Sequence, residues 1–235
     1  MFIESKYRQT PVYGIITREG KKFDHKELFK GELWRYAVLK SLKVWWGTPI
    51  RNGKDKTLLR IQCRYQNIMT GEIKDSNQHN SGSLSNDVDC KEIVLEQGDY
   101  FNQFHIGFDN FISYIKFTTK EKKVIEFGLL DKNVKKVKLN IDKDPNMLQC
   151  FIGNYSDNKI TALGCKYIRK KDYIFLHLMD IFRIRHIFKT NEKEKQKWVN
   201  SIASTPDRYD IYIKALVKLC SLPDTQFYTI IKYFA

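Results

Sequence analysis

From about residue 13 to residue 168, apolar side chains recur at every second position, and this period of two constrains the fold more than any other feature of the chain. "LLRIQCRYQ" puts Leu59, Ile61, Cys63 and Tyr65 on one face and Arg60, Gln62 and Arg64 on the other. "VKKVKLNID" alternates Val137, Leu139 and Ile141 with Lys136, Lys138 and Asn140. "KEIVLEQGD" and "FISYIKFTT" follow the same rule. Strands with one dry and one wet face belong to antiparallel sheets. Clusters of Gly, Asn and Asp such as "RNGKD", "EQGDY" and "IGNYSDN" mark turns between them. The polar, Ser/Asn-rich residues 74–87 read as one long loop.

After residue 171 the period changes. "YIFLHLMDIFRIRHIF", residues 173–188, is apolar enough for strand or helix, and the steps Leu178, Ile181, Phe182, Arg185 favour helix. A helix start follows, with Thr205 as cap, Pro206 at the first position and Asp207 in the first turn. Ile211, Ala215, Leu216 and Leu219 make its apolar stripe. Pro223 ends or kinks it before a last amphipathic segment, "DTQFYTIIKYFA". The expected organisation is an arm over 1–12, a β domain over 13–170 and a helical extension over 171–235.

Apolar residues make up 42% and aromatics 14%, enough for a sizeable core. Lys and Arg number 41 against 27 Asp and Glu, a net +14. That balance fits nucleic acid, acidic lipid, an acidic protein surface or a merely soluble lysine face. The positive charge is spread along the chain, which argues against a concentrated nucleic-acid footprint. The five cysteines are widely spaced and include no CxxC pair, so reduced, buried thiols are expected. The N-terminus has no apolar signal core and no run reaches membrane-span length, so an intracellular chain without membrane insertion is expected. Asn154-Tyr155-Ser156 is then a chance glycosylation triplet. HExxH, GxSxG, Walker and GxGxxG patterns are missing, and His25, His79, His105, His177 and His186 are scattered. No enzyme activity, metal or cofactor is expected. Asp24-His25 reads as a turn at a strand end.

"FTTKEKKVIEFG", residues 117–128, resembles the jacalin-related lectin pattern in which a strand ending F-x-T-N leads through a hairpin to G-P-F-G. Phe117, Thr119, Phe127 and Gly128 hold matching places, while Lys120 replaces the Asn and Ile125-Glu126 the Gly-Pro. "YGIITREGKKFDH", "KEIVLEQGDYFNQFHIGFDNFISYIKF" and "FIGNYSDNKITALGCKYI" are similar to further family segments in the same order. The resemblance spans about 13–168 and implies a mainly β fold: a β-prism of three antiparallel sheets, followed here by the helical region. Phe117, Phe127 and Tyr167 should point inward, and Gly128 should permit a bend.

The resemblance also implies a shallow pocket for mannose or galactose, walled by the N-terminal glycine loop and an aspartate in the final hairpin. Here the pocket would involve Gly14 and Thr161, with Thr161 in the aspartate's place and Asp157 as the nearest substitute. Ile15, Ile16 and Thr17 stand where the family has small residues. Both walls are eroded relative to the pattern, so a structural or interaction subunit of a larger assembly is the expected role. A working lectin and a basic subunit of a ribonucleoprotein particle are the alternatives. Trp34, Trp45 and Trp46 fall in one strand region, and consecutive Trp45 and Trp46 must face opposite ways. Trp45, Trp46, Phe227, Ile231 and Phe234 are the candidate contacts with other protein subunits.

Overall fold

The computed structural model describes residues 8–29, 34, 37–50, 55–67, 72–76, 86–96, 99–129, 135–138, 146–156, 159–169, 178, 181–182, 184–204 and 211–232. They divide into two compact units, Met1–Gln66 with Ile73–Lys170, and Asn67–Glu72 with Lys171–Ala235.

The first unit is built of three antiparallel sheets, as the alternation predicts. One sheet joins β1 (Arg8–Gln9), β2 (Tyr13–Gly14), β3 (Lys21–Asp24), β12 (Asn146–Ser156) and β13 (Lys159–Arg169) in the order β1-β13-β12-β3, with β2 also on β13. The second joins β4 (Ala37–Gly47), β5 (Thr57–Asn67), β6 (Ile73–Asp75) and β7 (Val88–Val94) in the order β6-β5-β4-β7. The third joins β8 (Phe101–Phe108), β9 (Ile112–Thr119), β10 (Val124–Gly128) and β11 (Lys135–Lys138) in the order β10-β9-β8-β11. Each sheet turns one face to a shared core. Phe104 stacks on Phe117 at 4.9 Å, and Phe151 meets Phe117 edge-on at 5.5 Å, so the first and third sheets interlock through rings. Each such side chain, once buried, contributes about 1.5–3 kcal/mol. Phe117 and Phe127 are buried and Tyr167 packs partly buried against the core.

Local departures from the sequence pattern have physical causes. Leu58 joins Ile61, Cys63 and Tyr65 in the core, so the alternation of β5 slips between Leu58 and Ile61. Leu59 and Arg60 are consequently buried too, and burial pulls the Arg60 guanidinium below its usual range. Residues 74–75 are strand, not loop: Arg64 grips Asp75 across the β5–β6 pair at 2.8 Å. Trp34 precedes β4 rather than lying in it, and is buried. Four of the five free cysteines are buried, whereas Cys90 is exposed on β7. Burial pushes the Cys150 thiol up to about 12.

The second unit is helical: α1 (Glu192–Ser204), α2 (Ile211–Cys220) and α3 (Asp224–Lys232), preceded by helical residues 184–190. Asn191 caps α1, accepting from the Glu194 amide at 3.1 Å. Ile184, Phe188, Val217 and Cys220 form its core. The described part of 173–188 is helix; Thr205, Pro206 and Asp207 lie outside the described residues. Among the described residues no helix is long and apolar enough to cross a membrane.

Candidate functional site

The final hairpin and the N-terminal strand meet at one end of the first sheet. Gly14 pairs with Ala162, and the Ile15 amide donates to the Thr161 carbonyl at 3.0 Å. Gly14 sits at φ +120°, and a Cβ there would come within 2.2 Å of the Thr161 carbonyl oxygen. Only glycine allows that approach, so Gly14 and Thr161 are brought together by backbone necessity. Asp157, the third candidate, lies outside the described residues.

Thr161 is buried and turned inward. Its hydroxyl donates to Oδ1 of Asn154 at 2.8 Å. Asn154 is 1% exposed, and its Nδ2, like Oγ1 of Thr17, is buried without a hydrogen-bond partner among the described residues. By sequence Asn154 belongs to a turn cluster and a glycosylation triplet; its burial removes it from any such modification in the folded chain. The signal that could have found it was its position seven residues before Thr161, across a tight hairpin of alternating strands. Ile15 and Ile16 stand exposed beside this group, 42% and 57%.

The Asp24-His25 pair is structural. The Asp24 carboxylate accepts from the Lys26 amide at 2.9 Å and caps a single 3-10 turn, His25–Leu28. His25 is buried with Nδ1 2.7 Å from the Tyr65 hydroxyl. They line, with Gln149 and Cys150, a cavity of about 10 Å³, room for one water. Among the described residues no group of His, Cys, Asp or Glu could hold a metal ion.

The tryptophan pair divides as a strand requires. Trp46 is buried, stacked on Phe127 at 5.9 Å, while Trp45 is half-buried with the Lys43 ammonium 5.3 Å from its ring. Gly128, at φ +82°, completes this corner: a Cβ would come within 2.1 Å of the Ser113 carbonyl oxygen. In the helical unit, Phe227 and Ile231 are both buried, with Phe227 beneath the Arg185 guanidinium at 4.1 Å. Phe234 lies outside the described residues. Among the described residues of that unit, Phe182 and Tyr228 are exposed aromatics.

Residues 12–166 match the family model of the Jacalin-like lectin domain. A substituted form of Malaysian banana lectin superposes with a TM-score of 0.50 at 15% identity, covering 70% of this chain and 99% of that one. A mannose binding jacalin related lectin from Ananas comosus gives 0.48 at 15% identity, covering 70% and 99%. No curated protein matches the chain by sequence.

Proposed function

The chain belongs to the jacalin-like lectin family, and on that premise we propose that it is a non-catalytic interaction module, a subunit of a larger assembly, whose inherited sugar site no longer takes mannose or galactose. The Thr161 hydroxyl carries this reading. By the resemblance to the family pattern it falls where the aspartate acceptor stands; it is 6% exposed and donates its proton to Asn154. A sugar hydroxyl binds best to a charged acceptor, and Thr161 brings no charge. Ile15 and Ile16 add bulk on the wall where the pattern has small residues. Contact with other subunits is supported by half-buried Trp45 on the prism and exposed Phe182 and Tyr228 on the helices, since aromatic side chains are favoured interface anchors.

The test pairs a glycan array and millimolar titration of mannose and galactose with size-exclusion and mass spectrometry of the native complex. No saturable sugar binding and a defined complex of fixed stoichiometry are expected. Saturable binding of either sugar, or a chain that runs alone, overturns the reading. A lectin of altered specificity is the second reading, and the Asn154 amide nitrogen beside Thr161, unpartnered among the described residues, is the observation in its favour. The same array reports it, as a hit on a glycan other than mannose or galactose.

A further inference from the structure

The sheet end that carries Gly14 and Thr161 also holds two adjacent isoleucines in solvent. Ile15 is 42% and Ile16 57% exposed. They are held there by backbone: the Ile15 amide bonds to Thr161, and the Gly20 amide donates to the Thr17 carbonyl at 3.2 Å, closing the turn behind them. Cations ring the same end. Lys21 and Lys22 are exposed and lie opposite Tyr155 and Asn154 on β12. Lys159 faces Ser156 across the hairpin, and Arg18 is exposed in the turn. Glu19 and Asp157 are the acids of these segments, so the cations outnumber them.

We propose that this tip docks on an anionic lipid bilayer, with Ile15 and Ile16 entering the boundary between headgroups and acyl chains and the four cations resting among acidic headgroups. Large apolar side chains kept in water beside a cationic collar match the two attractions such a surface offers. A nucleic acid would use the cations and leave the isoleucines idle. A protein partner would need on the order of 1,000 Å² of complementary surface, far more than two side chains supply. A fluid bilayer needs no shape complement. This is association with a surface, distinct from a membrane span, and it stands apart from the subunit role proposed above.

The experiment is flotation of the full chain with vesicles of phosphatidylcholine alone or mixed with phosphatidylserine. Binding to the mixed vesicles is expected, weakening as salt rises. The Ile15→Ser/Ile16→Ser double variant keeps the net charge and should lose about tenfold in vesicle affinity. Lys21→Glu/Lys22→Glu should lose as much or more. Circular dichroism verifies that each variant folds, and an Ile16→Trp variant gives an independent readout, a blue shift of emission on mixed vesicles. Failure to float with phosphatidylserine overturns the proposal. So does binding that the serine variant leaves unchanged, which would mark a charge-only surface suited to nucleic acid or an acidic protein, and so does an Ile16→Trp emission that vesicles do not move.

Discussion

The Thr161 hydroxyl and the Asn154 side-chain carbonyl lie 2.8 Å apart in the folded prism, joined by a hydrogen bond that points away from solvent. A side chain so engaged is poorly placed to receive a ligand. Introducing a carboxylate by Thr161→Asp should therefore not confer sugar binding. The new charge would be buried beside Asn154, whose amide offers one side-chain donor group in place of water, and the exposed Ile15 and Ile16 would remain next to it. A stability loss of about 1–3 kcal/mol is expected from the desolvated carboxylate. Denaturant melts read the loss, and amide shifts at Gly14 on adding mannose or galactose read the binding. A saturable shift in the variant would show that the missing charge alone silenced the pocket.

Trp46 and Phe127 stack at 5.9 Å with their planes 5° apart, linking β4 to β10. Phe127→Ala should leave a cavity under the Trp46 ring and cost about 3–5 kcal/mol. Phe127→Leu, which keeps most of the volume, should cost less than half of that. Thermal denaturation orders the two, and equal losses would mean that the corner collapses rather than opens.

The three sheets were legible because one buried face per strand writes itself as alternation, and because Phe117, Phe127 and Gly128 answer a packing demand that only a ring or a bare backbone can meet. The slip at Leu58–Ile61 was not legible, since Leu59 and Leu58 are equally apolar and only the pairing decides which one enters the core. At the site, the Gly14–Thr161 approach could be anticipated from the family pattern. The Asn154 partnership was harder to see: Asn154 lies only seven residues before Thr161 across the hairpin, but a polar side chain in a turn-rich stretch gives no sign that it is buried.

Asp224 opens α3 and receives the guanidinium of Arg185 at 2.6 Å together with the Lys189 ammonium. Hydrogen bonds from Lys189 first, then Arg185, hold its carboxyl below the usual range. A folded-state pKa depressed in this way means that the pairing stabilises fully above the unfolded value of about 3.9 and is lost as pH falls through the lower folded value. The Asp224 carboxyl carbon, followed by NMR, should titrate with a midpoint below that of an unfolded peptide. Lys189→Ala should move the midpoint upward, and Asp224→Asn should remove the corresponding acid step from the stability of the helical unit. A midpoint at or above the peptide value would show that the pair does not persist in solution.

The helical unit also bears on the proposed subunit role. Ile184 and Phe188 pack with Val217 and Cys220, so a truncation inside the unit would strip half of its core. The informative deletion is the whole of 171–235. The prism's core draws on its own three sheets, and the deleted chain should keep its β-sheet circular dichroism and a cooperative melt. Exposed Phe182 and Tyr228 leave with the deleted segment. If they anchor the assembly, the prism alone should run as a small species and fail to enter the native complex. Entry at full stoichiometry would move the anchor to the prism, with Trp45 the first residue to replace by alanine.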